Sequence, residues 1–216
     1  MIFDDLLNLI QDDPVFESSI LFAGDVDPKA IRVQLSRWVK SGKIVQLRRG
    51  LYALAPPYQK IKPHPFFIAN RLQKASYISL QTALSYYNLI PEFVQTVTSV
   101  STGRTEQLST PLGSFSFRHI KTEFFFGYKT VDLPNQLVFI AEAEKAILDM
   151  VYLQAGGDNP AFLEELRLQH LNFLDVKKLQ DFAQRFNSPK MTRASQIILT
   201  LIEREKKEYQ ALWKIT

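Results

Sequence analysis

Cysteine is absent from this 216-residue sequence, which excludes disulfides and thiolate metal sites. The three histidines, His64, His119 and His170, stand far apart, and none has the i, i+4 spacing of a metal-binding pair. The eight glycines form neither a G-x-x-x-x-G-K-[ST] phosphate loop nor a G-x-G-x-x-G turn. We therefore expect a protein that is not an enzyme, with no catalytic residues, no metal and no cofactor.

Long hydrophobic runs are lacking as well. No stretch of the sequence approaches the ~20 apolar residues that a membrane helix needs. The N-terminus has no basic region followed by an apolar core, so it does not read as a signal peptide. These absences predict a cytoplasmic protein that has no membrane partner.

Charge is distributed very unevenly along the chain. Residues 25–62 carry nine basic side chains against two acidic ones, whereas the preceding 24 residues carry five acids and no lysine or arginine. An excess this local forms a patch, and a polyphosphate backbone is the natural partner of such a patch. The distribution predicts that double-stranded DNA binds near residues 25–62.

The spacing within this stretch predicts a helix with a basic outer face. Asp27 can cap a helix that begins at Pro28, and Gly42 is suited to follow its end. Ile31, Leu35 and Trp38 recur at helical spacing and make one apolar stripe. The side chains predicted to reach DNA from the opposite face are Lys29, Arg32, Ser36, Arg37 and Lys40.

Two short strands, over 44–47 and 51–54, are predicted to follow this helix. Arg48, Arg49 and Gly50 lie between them and indicate a tight hairpin. Lys43, Arg48 and Arg49 complete the predicted DNA contacts, with the helix in the major groove and the hairpin on phosphate or the adjacent minor groove.

Helices over 2–10 and 16–22, the second ended by Gly24, are predicted to support the basic helix and the hairpin. Residues 1–55 are thus predicted to form a winged helix-turn-helix domain, although a small helical subdomain with a merely solvated basic face stays an alternative.

A proline-rich linker over 56–64 is expected to separate this domain from an α+β domain over 65–216, with few contacts across it. In the second domain we predict a mainly antiparallel sheet and a helical tail. The predicted strands cover 93–100, 114–120, 124–126, 129–133 and 136–140. The predicted helices cover 66–72, 79–87, 141–153, 159–169, 175–186 and 190–210.

Two other functions fit isolated features of the second domain less well. Glu142, Glu144 and Lys145 suggest a nuclease cluster, but a Glu-x-Lys motif needs one residue between its members, and Glu144 adjoins Lys145. Glu144 and Asp149 are instead expected to cap, pair or face solvent. A run of phenylalanines could stack on single-stranded bases, although core packing is the favoured interpretation. These phenylalanines are Phe115, Phe117, Phe124, Phe125 and Phe126.

Four sequence blocks carry a family resemblance. Arg48 to Ala53 reads RRGLYA, and Ser79 to Ile90 reads SLQTALSYYNLI, which resembles an S-x-x-A-L-x-x-x-G-L-I block with one extra residue before the alanine and with Asn88 in place of glycine. Phe124 to Gly127 forms an F-F-F-G turn, and Ala143 to Asp149 reads AEKAILD. In this order and spacing, the blocks resemble the AbiEi-type antitoxins, which are transcriptional regulators of type IV toxin–antitoxin and phage-defence operons.

The resemblance implies a repressor that binds inverted repeats in its own operator, and such repeats suggest a dimer on DNA. It also implies a second domain that counters a nucleotidyltransferase-like toxin. Arg48 and Arg49 are the residues carried over from the family. The alternative is a stand-alone regulator of the same architecture, whose second domain binds another partner or a ligand.

Overall fold

The N-terminal part of the chain packs helices against a small antiparallel sheet. In the computed structural model, which describes residues 2–23 and 26–213, this sheet has the strand order β1-β3-β2. Its elements are α1 (Phe3–Ile10), β1 (Val15–Glu17), a 3-10 turn (Ser18–Phe22), α2 (Pro28–Lys40), β2 (Ile44–Arg48) and β3 (Leu51–Leu54).

Helix α2 begins and ends where the sequence predicts. The Asp27 side chain accepts a hydrogen bond from the backbone N–H of Lys29 at 2.9 Å, and Pro28 occupies the first helical position. The helix ends at Lys40, after which Gly42 takes a φ of +69°. Both strands of the predicted hairpin are also confirmed.

The helix predicted over 16–22 is wrong. Val15 to Glu17 form strand β1, and only Ser18 to Phe22 form a short 3-10 turn. Val15 and Phe16 pair with Ala53 and Tyr52 of β3, so tertiary pairing overrides a local helical pattern. Gly24, which was predicted to end this helix, lies outside the described residues.

The proline-rich segment is fastened to the second part of the chain. The buried amide of Gln136 accepts from the backbone N–H of His64 at 2.7 Å and donates to the carbonyl of Lys62 at 3.1 Å. The His64 ring caps the next helix by accepting from the N–H of Phe66, and burial lowers the pKa of this histidine. His64 therefore has a structural role.

The second part builds a six-stranded sheet with helices around it. Its strand order is β6-β7-β5-β4-β9-β8, with three antiparallel and two parallel pairings, so the sheet is mixed. Its strands are β4 (Ser76–Ile78), β5 (Thr96–Ser101), β6 (Glu106–Thr110), β7 (Gly113–His119), β8 (Tyr128–Leu133) and β9 (Gln136–Ala141). Its helices are α3 (Pro65–Leu72), α4 (Leu80–Tyr86), α5 (Ala143–Leu153), α6 (Pro160–Glu165), α7 (Val176–Arg185) and α8 (Pro189–Trp213). The α+β class is confirmed.

Three local predictions for this part need correction. The strand expected at 124–126 is absent, because a 3-10 turn over Thr122–Phe124 leads Phe124 and Phe126 into the core. Strand β6 was not predicted, since its polar sequence EQLST lacks the usual strand residues. Ser79 does precede helix α4, but its hydroxyl does not cap that helix.

The Ser79 hydroxyl instead joins a buried polar network. Lys145 and Asp149, one turn apart on α5, form an ion pair in which both side chains are 0% exposed. Ser79 donates to Asp149 at 2.8 Å, and Tyr77 donates to it at 3.0 Å. The Lys145 ammonium donates to the Tyr77 hydroxyl at 2.8 Å and lies 4.9 Å from the ring centroid of Phe126. The network therefore fixes α5 to β4 through directed bonds.

Burial sets the titration of this network. It raises the pKa of Asp149 and lowers the pKa of Lys145, because each charge loses its hydration, while the attraction between the two opposes both shifts. Hydrogen bonds from Tyr77 and Ser79 add to the stabilisation of the carboxylate. The pair is thus held by its partners rather than by water.

Asp149→Ala is expected to lower the free energy of unfolding by about 3–5 kcal/mol, because it leaves the Lys145 ammonium buried without its counter-ion. The double variant Lys145→Met with Asp149→Leu removes both charges and is expected to lose much less. Urea denaturation of both variants and the wild type measures the two losses in the free energy of unfolding. Equal losses in the single and double variants would contradict the expectation.

Candidate nucleic-acid interface

On helix α2, every side chain that was predicted to contact DNA is exposed to solvent. Ile31, Leu35 and Trp38 are buried beneath the helix. The predicted contact residues of the helix that are exposed are Lys29, Arg32, Ser36, Arg37 and Lys40. The helix therefore offers a polar, basic outer face above an apolar stripe.

This outer face has a centre and two flanks. At ~100° per residue, Lys29, Val33, Ser36 and Lys40 form a central row opposite the buried stripe. Arg32 and Arg37 lie on either side of that row, about 140° apart around the helix axis. Val33 is 50% exposed, so the row contains one apolar side chain between polar ones.

The hairpin carries Arg48 and Arg49 at its tip, and both are exposed. Gly50 adopts a φ of +83°, a conformation that a side chain would strain, and its carbonyl accepts from the N–H of Ser18 at 2.8 Å. The pairing register shifts between Gln46 and Arg48, as in a β-bulge. A bulge at this point bends the strand just before the two arginines.

Lys43 departs from the rest of the predicted set. It is half-buried, and its ammonium lies 4.7 Å from the ring centroid of Phe3 on α1. This cation–π contact holds Lys43 against the helical side of the N-terminal part. The structure therefore gives Lys43 a packing role that the sequence did not indicate.

The basic side chains of this surface have no acidic partners among the described residues. The described ion pairs use none of the lysines and arginines of α2, and neither Arg48 nor Arg49. Cations without internal partners keep their attraction for an external polyanion. We call the side chains of this surface the basic face: Lys29, Arg32, Ser36, Arg37, Lys40, Arg48 and Arg49.

The acids of the N-terminal segment are turned towards the second part of the chain. Asp12 pairs with Lys60 at 3.0 Å, and Glu17 pairs with Lys74 at 2.8 Å. The hydrogen bond from Lys74 lowers the pKa of Glu17. Asp12 and Glu17 are therefore paired with cations other than those of the basic face.

Arg71 of α3 makes the most specific of these contacts. Its Nη2 donates to the carboxylate of Asp13 at 2.7 Å and to the backbone carbonyl of Val15 at 2.8 Å. Val15 lies in β1, the edge strand of the N-terminal sheet, so Arg71 also covers an open edge. We call the pairs Arg71–Asp13 and Lys74–Glu17 the clasp.

Apolar packing reinforces the clasp, because the N-terminal sheet is covered on both faces. Phe16 and Tyr52 belong to the core beneath the N-terminal helices. Val15, Leu51 and Ala53 belong to the core of the second part. All four residues of β3 are therefore buried. The expectation that few contacts cross the proline-rich segment is wrong, since the sheet takes part in both cores.

A groove of about 340 Å³ lies where the hairpin meets the second part. Its lining includes Arg48 and Arg49 from the hairpin, Arg71 and Lys74 from the second part, and Glu17 from β1. Arg71 and Lys74 were not selected from the sequence. The signal for them was the cluster of acids at 12, 13 and 17, which needed basic partners when folded.

Comparison with protein families locates the resemblance on this same surface. Residues 26–55 match a family model described as the AbiEi antitoxin, a transcriptional regulator. The AbiEi resemblance is confirmed over this segment. The match covers α2 and both strands of the hairpin, the elements that carry the basic face. No curated protein matches the chain.

The remaining blocks of the AbiEi resemblance lie outside the matched segment. In the structure, Asn88 takes a φ of +56°, as expected of a residue that replaces glycine. Gly127 has a φ of +69°, and a Cβ there would lie 3.1 Å from the Lys145 side chain. The AEKAILD block supplies Lys145 and Asp149 of the buried network. These three blocks thus serve folding, which leaves toxin neutralisation without an assigned residue.

Two searches concern the described residues only. Among residues 2–23 and 26–213, no group of three or more histidines or acids is placed to hold a metal ion. Within the same ranges, no helix has the length and apolar character required to cross a membrane.

Arg71→Ala is expected to lower the free energy of unfolding by about 1–3 kcal/mol, because a half-buried ion pair and a hydrogen bond to an edge strand are lost together. Lys60→Ala is the matched control. Its pair with Asp12 is about two-thirds exposed on both sides, so the expected loss is within about 0.5 kcal/mol. Urea denaturation of the two variants separates these outcomes, and equal losses would show that Arg71 does not join the two parts.

Proposed function

We propose that this protein is a sequence-specific, DNA-binding transcriptional repressor that acts as the antitoxin of a type IV toxin–antitoxin system. In this proposal it represses its own operon and counters a nucleotidyltransferase-like toxin. The observation that carries the proposal is the basic face, which combines cations without described acidic partners with a match to AbiEi regulators over the same residues.

The proposed architecture is a winged helix-turn-helix. Helix α2 is the recognition helix, and the β2–β3 hairpin is the wing. Supporting this, α2 is buried on one side only, and the hairpin tip holds two exposed arginines after a bulge. The helix is proposed to enter the major groove while Arg48 and Arg49 reach phosphate or the adjacent minor groove.

The side chains of α2 make different contacts with DNA in this arrangement. The central row of Lys29, Val33, Ser36 and Lys40 faces the groove floor in this arrangement, and Val33 offers an apolar contact for a thymine methyl group. The flanking Arg32 and Arg37 point to opposite walls of the groove. Only one of them can reach a given base edge, and the other then contacts the backbone.

The antitoxin role rests on the family match and is proposed with a second candidate beside it. AbiEi regulators are described as antitoxins, whereas the basic face by itself supports DNA binding alone. The second candidate is a stand-alone regulator whose second domain, residues 65–216, binds another partner or ligand. For inverted repeats we propose two protomers on the operator, because operator symmetry mirrors protein symmetry.

The salt dependence of DNA binding tests the basic face. If about six phosphates are neutralised, log K against log salt falls with a slope near −5. Arg48→Ala with Arg49→Ala is expected to weaken binding to all duplexes and to make the slope shallower by about 1.8, since two phosphate contacts are lost. Fluorescence anisotropy with the upstream region of the gene measures both quantities.

The matched control removes the same charge elsewhere. Lys206 and Lys207 are exposed near the end of α8, and replacing both with alanine is expected to leave slope and affinity unchanged. If the control variant and the hairpin variant change the slope equally, the effect belongs to net charge, and the proposed wing is misplaced.

Base preference tests the recognition helix separately. Val33→Ser is expected to lower affinity for the preferred site by about fivefold to tenfold while leaving non-specific binding and the salt slope unchanged, because no charge is lost. Arg32→Ala is expected to make the salt slope shallower, to relax the base preference, or to do both. A selection of bound duplexes from a random library, run with each variant, gives the preferences. A preference identical to wild type in both variants would contradict the assignment of α2.

Toxin protection is tested by expressing the neighbouring nucleotidyltransferase-like protein, where the operon encodes one, from a promoter that does not contain the operator. Under the antitoxin proposal, the Arg48→Ala, Arg49→Ala variant still rescues growth, because rescue resides in the second domain. Loss of rescue in this variant would mean that protection works through repression instead.

A further inference from the structure

An aromatic pocket lies directly behind the clasp, on the side away from the hairpin groove. It has a volume of about 270 Å³, and three rings line it: Phe125, Tyr128 and Phe139. Two cations, Arg71 and Lys74, line it as well. The same two side chains also line the hairpin groove, so they stand between the two cavities.

The rings are held in place by the buried network. Tyr128 stacks on Tyr77 with a centroid separation of 5.0 Å and an interplanar angle of 14°. Phe125 lies 5.1 Å from both rings. Tyr77 is fixed by its hydrogen bonds to Asp149 and Lys145. The aromatic wall is therefore preformed, which lowers the entropic cost of binding a planar group.

The rim of the pocket is equally well fixed, yet it faces solvent. The Asn70 side chain accepts from the N–H of Phe139 at 2.7 Å and donates to the carbonyl of Ser76 at 3.3 Å. Phe139 and Tyr128 nevertheless remain 45% and 37% exposed. Exposed rings on a rigid rim form an open surface on which an aromatic ligand can stack.

Arg71 and Lys74 favour a negatively charged ligand in this pocket. The Lys74 side chain is 74% exposed, and its one described acidic partner is Glu17. The Arg71 guanidinium uses Nη2 for the clasp, while its buried Nε has no partner among the described residues. The Arg71 side chain is 36% exposed, so its guanidinium can pair with an anionic oxygen from the pocket in addition to Asp13.

We propose that this pocket is an effector site for a small planar aromatic anion, such as an aryl phosphate or aryl carboxylate. Tyr128 and Phe139 meet edge to face with a centroid separation of 5.9 Å, so the ligand ring packs against the exposed surface that the two rings form together, and the anion binds Lys74 and Arg71. Binding draws Lys74 away from Glu17. Glu17 also lines the groove with Arg48 and Arg49, so its freed carboxylate partly neutralises these arginines and weakens the hold on DNA.

The effect on DNA rests on the proposed function, whereas ligand binding does not. The two are therefore measured separately on the full-length protein. Phenyl phosphate is the probe for the site, with inorganic phosphate and phenol as its two halves. Isothermal titration is expected to show saturable binding of phenyl phosphate at least about tenfold tighter than of either half, because stacking and ion pairing act together. Absence of saturable binding, or equal binding of inorganic phosphate, overturns the site.

Four variants locate the site. Phe139→Ala and Lys74→Gln are each expected to weaken binding about tenfold or more, since one removes a stacking wall and the other a cation. Leu137→Ala is the matched control: Leu137 lies two residues from Phe139 in β9, is 64% exposed and does not line the pocket. This control is expected to bind the probe as wild type does, and a loss equal to that of Phe139→Ala overturns the assignment.

Glu17→Gln separates ligand binding from a merely structural effect. This change and Lys74→Gln break the same ion pair, but Glu17→Gln leaves the Lys74 ammonium free for the ligand. The proposal therefore requires tighter binding of phenyl phosphate in Glu17→Gln and weaker binding in Lys74→Gln. Changes in the same direction in both variants would show that the ion pair only supports the fold, and would overturn the proposal.

The final measurement couples the site to DNA. Saturating phenyl phosphate is expected to lower the affinity of the wild type for its preferred duplex at least about threefold, and to have no effect on Phe139→Ala. Unchanged affinity in the wild type overturns the effector role even if the probe binds. If the wild type fails to bind duplex DNA without the probe, the proposed function fails, while the titrations still decide the site.

Discussion

The ion pair between Lys145 and Asp149 is the constraint on which the second part of the chain depends. Two opposite charges without solvent contact are tolerable only when every polar group around them is satisfied. That requirement fixes the hydroxyls of Ser79 and Tyr77, and through Tyr77 it fixes the rings of Phe125 and Tyr128. We infer that these directed bonds help to select one register between α5 and β4, which apolar packing alone specifies less strictly.

A second constraint acts at the N-terminal sheet, which serves two cores at once. One face supports α2 and the other joins the core of the second part, so the position of the basic face is set by residues on both sides of the proline-rich segment. Three acids of the N-terminal segment contribute to this arrangement: Asp12, Asp13 and Glu17 pair with Lys60, Arg71 and Lys74, which leaves the cations of the basic face outside the described ion pairs.

The parts that local patterns determine could be predicted from the sequence. Helix α2 was predictable because Asp27, Pro28 and Gly42 mark its ends and the apolar spacing sets its buried side. The hairpin was predictable because Gly50 permits the turn. Strand β1 was not, since Val15 and Phe16 become a strand only by pairing with β3. Strand β6 has a polar sequence, and its pairing with β7 depends on tertiary context as well.

The site follows the same division. Its exposed cations could be assigned from helical phase, whereas the packing of Lys43 against Phe3 and the roles of Arg71 and Lys74 required the fold. The expectation of few contacts across the proline-rich segment failed for a related reason. Four prolines indicate a stiff connection, but they say nothing about surfaces that meet beside it.

The doubly covered sheet has a consequence for exchanging modules between regulators. Helix α2 could be exchanged by itself, since its outer face is exposed. The whole N-terminal part cannot be moved so freely, because Val15 of β1 and Leu51 and Ala53 of β3 would lose the surface that covers them and become exposed to water. A functional chimera would have to carry α3 with its arginine, or reproduce that surface in the recipient. The structural unit to be moved is therefore the sheet together with the surfaces that cover both of its faces.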